Sequence, residues 1–209
     1  MQQTTLAIHL DNQPSLNNYY PANTYTQQVI DKLNQELSQP CQYYLLTGNS
    51  GCGKTHLLKA YCMQAYHRRC YIPCKQLAKY QPDLLEGLTD HLICLDDIEY
   101  LLGNSSWEKA LFKLFIQTKC TLLMSATTSE PARKVLLPDL KSRLSACLHV
   151  KISPLNEQEQ RQALAYRAQS RGIILSEKLL QWLQHNAPRS NHALFGLLDH
   201  LDQYCLTNQ

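Results

Sequence analysis

Residues 48–55 match the phosphate-binding pattern G-x-x-x-x-G-K-[ST] at every specified position. The glycines let backbone N–H groups turn toward a phosphate, and a helix starting there adds the positive end of its dipole. Lys54 can reach the β- and γ-phosphates of a nucleotide, and the Thr55 hydroxyl can bind Mg²⁺. The predicted nucleotide-binding residues are Gly48, Asn49, Ser50, Gly51, Cys52, Gly53, Lys54, Thr55 and His56.

A pair of adjacent acids follows an apolar segment at residues 91–95. Such a run is typical of a parallel strand covered on both faces, whose carboxyl end meets the ligand crevice. Magnesium bound to a nucleotide needs a carboxylate at that position. We therefore predict that Asp96 belongs to the magnesium shell and that Asp97 orients the attacking water. Many ATPases with such a loop carry glutamate at the position of Asp97, and the shorter aspartate side chain has a different reach.

The elements that must position these residues alternate between strand and helix patterns. Strands are predicted at 43–47, 70–73, 91–95, 120–126 and 148–152, and helices at 26–40, 56–63 and 107–115. This alternation predicts an α/β fold. From residue 156 onward the patterns are helical only, at about 157–170, 177–186 and 190–204, which predicts a small helical lid.

Composition favours one compact nucleotide-binding unit with an appendage. The chain has 209 residues, 44% of them hydrophobic, and a formal net charge of +3, which is too small to indicate a nucleic-acid surface. Its nine cysteines form no C-x-x-C pair, so we expect reduced thiols in a cytoplasmic protein. Neither a secretory signal nor a run long enough to span a bilayer is present in the sequence, so no membrane contact is expected.

Two further segments carry a resemblance to a known family. Residues 96–99 with Gly103 and the Trp107-Glu108 helix form one, and residues 137–144 form the other. Together with the phosphate-binding loop they make the chain resemble the AAA+ ATPases, and within them the DnaA/Hda family, over nearly its whole length. The resemblance implies a three-layer parallel-sheet AAA+ P-loop domain at 19–153, preceded by an arm at 1–18 and followed by a small C-terminal helical lid at 154–209.

The resemblance also implies roles for individual residues. Arg143 falls at the position of an arginine finger, which is offered to the γ-phosphate in a partner's site. Tyr20 lies where the family encloses the adenine of ATP or ADP. Thr127 stands where the family usually places an aspartate, so intrinsic hydrolysis is expected to be slow. The lid arginine that senses phosphate falls at His192, and Arg189, one turn earlier, is the alternative.

The N-terminal arm contains Gln3, Leu6 and Ile8 in the spacing Q-x-x-L-x-[apolar]. This segment resembles the peptide by which proteins bind the bacterial replication sliding clamp, the β subunit of the DNA polymerase. In such peptides the apolar side chains fill a pocket and the glutamine hydrogen-bonds at its edge. The alternative is an arm with no binding function.

These resemblances predict a regulator of replication initiation that binds the sliding clamp and stimulates hydrolysis of DnaA-bound ATP through Arg143. Such a regulator contacts DNA only through the clamp. The nucleotide that the regulator itself binds has a structural role, and the regulator could form a homo-oligomer. The chain ends soon after the last predicted lid helix, so no helix-turn-helix domain is expected. The alternatives are an autonomous ATPase or helicase-loader motor, and a clamp-bound adaptor that influences no hydrolysis.

Overall fold

The computed structural model describes residues 14–36, 42–64, 68–117, 120–127, 134–186 and 194–198. Its centre is a five-stranded sheet made of β1 (Tyr43–Thr47), β2 (Arg69–Pro73), β3 (Leu92–Asp96), β4 (Thr121–Ala126) and β5 (Leu148–Lys151). The strand order is β2-β3-β4-β1-β5, and every neighbouring pair is parallel. All five predicted strands are therefore confirmed.

Both faces of the sheet are covered, which makes three layers. Side chains alternate along each strand, so that Leu45 and Leu122 face one core while Leu46 and Leu123 face the other. Helices α4 (Ser105–Gln117) and α5 (Pro138–Ala146) contribute to the first core. Helices α1 (Thr24–Glu36) and α2 (Lys54–Gln64) contribute to the second. The three central strands β1, β3 and β4 are almost entirely buried on both faces, whereas the outer strands β2 and β5 are partly exposed.

Short elements complete the domain between the longer helices. Helix α3 (Cys74–Leu77) follows β2 directly, and 3-10 turns span Leu16–Asn18, Pro82–Leu85 and Ile98–Tyr100. The predicted helix at 107–115 is confirmed and begins two residues earlier, because the Asn104 side chain accepts from the N–H groups of Ser106 and Trp107.

The C-terminal part is helical, as the sequence predicts. Helices α6 (Glu157–Gln169) and α7 (Glu177–Asn186) pack together with the helical residues 194–198 around a separate apolar cluster. A capping box starts α6: the Asn156 side chain accepts from Glu159 N–H, and the Glu159 carboxylate accepts from Asn156 N–H. The rest of the predicted helix at 190–204 lies outside the described residues. Among the described helices, none combines the length and apolar character needed to cross a membrane.

Candidate nucleotide-binding site

The loop after β1 has the backbone of a phosphate cradle. Gly51 and Gly53 have φ values of 78° and 99°, in the left-handed region that side chains disfavour. A Cβ at Gly48 would lie 2.3 Å from the Ile152 carbonyl oxygen, so that position also requires glycine. The following helix, α2, begins at Lys54, whose Nζ donates to the carbonyls of Gly48 at 2.8 Å and Asn49 at 3.0 Å.

A cavity of about 1130 Å³ opens at this loop, between the carboxyl ends of the strands and the lid. Because the strands are parallel, the segments following β1, β3 and β4 meet at one edge of the sheet. The predicted residues that line the cavity are Tyr20, Ser50, Gly51, Cys52, Gly53, Lys54, Thr55, His56, Asp97 and Thr127. Gly48 and Asn49 lie behind its wall, where their carbonyls hold Lys54. The conformation and charge of this cradle fit a nucleotide's phosphates.

The two adjacent acids occupy different environments. Asp96 is buried, and its carboxylate accepts hydrogen bonds from Ser125 Oγ at 2.5 Å and from the Tyr71 hydroxyl at 2.7 Å. Asp97 lines the cavity, and its backbone adopts φ 57° and ψ 58°, a left-handed conformation uncommon outside glycine. Burial raises the pKa of Asp97, and the charges of Asp96 and Glu99 raise it further. Asp97 therefore lines the cavity, whereas Asp96 is buried behind it with Ser125 and Tyr71 as partners.

Thr127 has a partner that the sequence does not indicate. It follows β4, and its backbone N–H donates to Glu99 Oε1 at 2.9 Å. Glu99 comes from the 3-10 turn after Asp97, and it also lines the cavity. The Glu99 carboxylate is thus hydrogen-bonded to the backbone of Thr127, at the position where the sequence itself has a neutral side chain.

Aromatic side chains form the wall near the arm. The Tyr19 ring lies directly beside Gly53. The centroid of this ring is 5.4 Å from the centroid of the His56 ring. Burial raises the pKa of the Tyr19 hydroxyl. Tyr20 reaches the lid, where its hydroxyl donates to Gln162 Oε1 at 2.7 Å. The sequence analysis selected Tyr20 alone, but both tyrosines line the cavity.

His56 is held in its neutral form. Its Nε2 lies 3.1 Å from the Ser15 carbonyl, which can only accept, so Nε2 carries the hydrogen. The pKa of His56 is lowered to about 4, chiefly by burial and also by the charges of Arg167 and Lys59, although the contact with Ser15 acts in the opposite direction. Near neutral pH this side chain is therefore a flat, uncharged ring whose N–H donates to Ser15 and whose Nδ1 is an acceptor.

Three further cations line the cavity, and sequence reasoning missed all of them. Lys59 lies in α2, Lys75 in α3 and Arg167 in α6. The Arg167 guanidinium lies 5.1 Å from the Phe195 ring, which places it between two parts of the lid. A basic residue near the end of a helix has no distinctive sequence pattern, so only the packing of α6 over the cavity reveals Arg167.

Arg143 is not among the residues that line this cavity. It is exposed on α5, whose apolar side is packed into the core through the buried Leu140 and Leu144. The segment before α5 is held by Glu108, a fully buried carboxylate of α4. Glu108 accepts from the N–H groups of Leu136 at 2.9 Å, Leu137 at 2.7 Å and Gly103 at 2.7 Å. Arg143 is thus presented outward from an anchored helix.

Other predicted site residues lie outside the described part of the chain: Arg189, His192, Gln3, Leu6 and Ile8. Their roles stay predictions. The described residues include seven cysteines, which are free thiols, and all of them but Cys70 are buried.

The C-terminal part of the chain matches a known sequence family. Residues 157–209 match the family model described as "Hda, lid domain". Over the full length, the chain is 33% identical to an uncharacterized protein of Haemophilus influenzae strain Rd, an alignment that covers 100% of this chain and 93% of the relative.

Comparison with solved structures concerns the fold. Domain III of the Thermotoga maritima replication initiation protein DnaA superimposes with a TM-score of 0.75 and 19% identity, over 95% of this chain and 91% of that one. DnaA of Aquifex aeolicus, solved with bound AMPPCP, gives a TM-score of 0.71 and 17% identity, over 92% of this chain. The match spans 66% of the Aquifex chain, so our chain corresponds to about two thirds of it.

Proposed function

The chain belongs to the DnaA/Hda family of AAA+ proteins, and from that premise we propose that it regulates replication initiation by stimulating hydrolysis of DnaA-bound ATP. The observation that carries this proposal is the placement of Arg143. Its side chain is exposed on α5 and does not line the protein's own described cavity. A guanidinium in that position acts on a phosphate only if the phosphate belongs to another molecule.

The anchoring of α5 supports this role. An arginine finger stabilises charge that develops on a transferring phosphoryl group, and it does so efficiently only when it is held in position beforehand. Glu108 fixes the backbone before α5 through hydrogen bonds to Leu136 and Leu137, while Leu140 and Leu144 fix the helix itself. Only the side chain of Arg143 then has to be ordered when DnaA binds.

The protein's own cavity binds ADP or ATP in this proposal. The backbone of residues 50–53 and the Lys54 ammonium group hold the phosphates, while Tyr19, Tyr20 and His56 form the wall nearest the arm. Thr55 and Asp96, the last residue of β3, would provide the oxygen ligands that Mg²⁺ prefers, and the ion would neutralise phosphate charge there. Contacts from both the sheet domain and α6 let a bound nucleotide hold the lid in one orientation.

The N-terminal arm binds the second proposed partner, the sliding clamp. Gln3, Leu6 and Ile8 bind the sliding clamp on DNA, which brings Arg143 close to DnaA and raises its effective concentration. Contact with DNA is then indirect, through the clamp. The DnaA contact and the clamp contact use separate parts of the chain, so substitutions can remove one without the other.

An autonomous ATPase or helicase-loader motor is the second candidate. It is favoured by Lys54, Thr55 and Asp97 all lining one cavity, which is the set that hydrolysis in the protein's own site requires. The two proposals differ in what they need: a motor hydrolyses ATP alone, whereas the regulator acts only in the presence of DnaA.

The decisive experiment measures hydrolysis of DnaA-bound ATP with the clamp loaded on DNA. We expect stimulation by the wild-type protein, and loss of most of it with Arg143→Ala. Lys141→Ala removes a neighbouring exposed cation of α5 and is the matched control. Gln3→Ala should lose the stimulation that depends on the clamp, with Gln2→Ala as its control.

Each other outcome has a definite meaning. Stimulation that survives Arg143→Ala contradicts the arginine-finger proposal. Hydrolysis that needs neither DnaA nor clamp supports the motor. Binding to the clamp without any change in DnaA turnover supports a non-catalytic adaptor.

A further inference from the structure

Two cysteines lie together in the core on the side of the sheet that α2 covers. Cys62 belongs to α2 and Cys94 to β3, and both are members of the same buried apolar cluster. The Cys94 thiol hydrogen-bonds to the Cys62 sulfur. Neither side chain is among the described residues that line the cavity. The proposed function therefore gives this pair no role.

The surroundings of Cys62 favour its thiolate. The pKa of Cys62 is lowered to about 7, chiefly by the hydrogen bond from Cys94 and also by the charge of Arg69. Burial and the charge of Asp90 act in the opposite direction. The Arg69 guanidinium donates to the Met63 carbonyl, which places its charge at the end of α2, next to Cys62. The thiolate is the nucleophilic form of cysteine, and a second thiol beside it is typical of a redox-sensing pair.

Cys62 is the member of the pair that a small oxidant can reach. The residue is 8% exposed, whereas Cys94 is fully buried. It also lies near the end of a helix, where the backbone opens more readily than in the core strands. Cys70 on β2 is more exposed, but burial raises the pKa of its thiol, so its thiolate is rarer.

We propose that a peroxide converts Cys62 and Cys94 into a reversible disulfide that links α2 to β3 and weakens nucleotide binding. The effect on nucleotide binding rests on the proposed function of the cavity. The Cys62 thiolate attacks one peroxide oxygen, the O–O bond breaks, and hydroxide leaves, so that Cys62 becomes a sulfenic acid. The Cys94 sulfur then attacks the Cys62 sulfur, the S–O bond breaks, and the oxygen leaves as water with the Cys94 proton. Both sulfurs are oxidised and both peroxide oxygens are reduced, so two thiols and hydrogen peroxide give one disulfide and two waters.

The two linked elements both carry parts of the nucleotide site. Helix α2 begins at Lys54, whose Nζ holds the Gly48 carbonyl of the phosphate-binding loop, and β3 ends at Asp96. Two bonded sulfurs lie closer than any non-bonded contact allows, so the helix has to move toward the strand. A close-packed core transmits such a displacement. We therefore expect the loop geometry to change although neither sulfur contacts the nucleotide.

The test treats the fully reduced full-length chain with a limited amount of hydrogen peroxide. The remaining thiols are blocked with iodoacetamide, and peptide mass mapping without reductant identifies which cysteines are linked. Dissociation constants for ATP and ADP are measured on the reduced protein, on the oxidised protein, and after treatment with dithiothreitol. Cys62→Ala removes one member of the pair, and Cys70→Ala removes a nearby thiol outside it as the matched control.

We expect a Cys62–Cys94 linkage in wild type and in Cys70→Ala. In these two proteins, oxidation should weaken nucleotide binding by about threefold or more, because the displaced helix carries the loop with it. Dithiothreitol should restore the affinity. Reduced Cys62→Ala should bind nucleotide as reduced wild type does, and peroxide should not change that affinity. The thermal midpoints of the reduced proteins show whether the variants are folded.

The contrary results are distinguishable. No linkage in wild type, or a linkage of Cys62 to Cys70 instead, contradicts the proposed pair. A Cys62–Cys94 linkage with unchanged affinity, or an affinity loss that persists in Cys62→Ala, contradicts its effect on the nucleotide site. If reduced wild type binds neither ATP nor ADP, the proposed nucleotide site itself fails, and the mapping still decides whether the disulfide forms.

Discussion

Ser125 of β4 donates its hydroxyl hydrogen to Oδ1 of Asp96 on β3 over 2.5 Å, and both side chains are buried. The same hydroxyl oxygen accepts from the Asp97 N–H at 2.8 Å. One small side chain thus orients the buried acid and also holds the left-handed backbone that turns Asp97 and Glu99 into the cavity. The geometry of the acids depends on a neighbouring strand as well as on their own.

Substituting Ser125 by alanine tests this relationship. Ser125→Ala leaves the Asp97 N–H and one Asp96 oxygen without a partner, so we expect a loss of about 1–3 kcal/mol in unfolding free energy. Nucleotide affinity in the presence of Mg²⁺ should also fall. Urea unfolding and nucleotide titration measure the two effects. Ser106→Ala, at an exposed position of α4, is the control; equal behaviour of both variants would contradict the role of Ser125.

Lys54 is the residue on which phosphate binding should depend most strongly. Lys54→Ala removes the ammonium group nearest the loop, and we expect nucleotide affinity to fall by at least about tenfold. Titration with a fluorescent ADP or ATP analogue measures the loss. Lys109→Ala removes an exposed cation of α4 outside the cavity and should leave affinity unchanged. An unchanged affinity in Lys54→Ala would refute the assignment of the cavity as the nucleotide site.

Glu108 should be among the most sensitive positions for stability. Glu108→Ala leaves the N–H groups of Gly103, Leu136 and Leu137 without their acceptor, so we expect a loss of about 3 kcal/mol or more. Glu108→Gln keeps an acceptor oxygen and should lose less. Urea midpoints at constant pH compare these variants with Glu86→Ala, which lies on the surface and should change the midpoint far less. A small effect of Glu108→Ala would show that the backbone before α5 is held by other contacts.

The buried His56 predicts a particular dependence of stability on pH. Its pKa in the folded protein is about 4, below the 6.5 of the unfolded chain. Above pH 6.5 the ring is neutral in both states, so folding is unaffected. As the pH falls from 6.5 toward 4, the unfolded chain takes up a proton that the folded protein excludes. Stability therefore decreases over that window, by about 2–3 kcal/mol at its acid end.

The check on His56 is the difference between wild type and His56→Asn, measured by urea unfolding from pH 7.5 to pH 5. Arg167 and Lys59 are the charges that lower the His56 pKa, and both remain in the variant. We expect wild type to lose more stability than the variant below pH 6.5. Parallel curves would mean that His56 titrates normally in the folded protein.

Local sequence patterns were sufficient to predict the phosphate-binding loop and the strands of the sheet. The phosphate-binding loop is recognisable because it needs glycine at positions with positive φ, and Gly51 and Gly53 have that conformation. The strands are recognisable because burial on both faces demands continuous apolar runs such as Leu92–Asp96, which ends in the acid that the pattern predicts. Such features depend on neighbouring residues in the chain, so a single sequence contains them.

The contacts that complete the site could not be predicted in the same way. Glu99 meets Thr127, and Glu108 meets Leu136 and Leu137, across 28 and 29 positions of sequence. Arg167 comes to the cavity from a helix of the lid. No local periodicity marks these pairs, because a carboxylate on a turn or helix looks the same whether it faces solvent or a buried N–H.

The sequence by itself therefore determined the α/β class, the nucleotide loop and the order of the elements, since these follow from backbone conformation and from burial along each segment. Only the tertiary structure decided which acid lines the cavity, which cations join it, and that Arg143 is exposed on α5 and does not line it. Those properties depend on how separate segments are placed against each other, and that placement follows from packing of the whole core.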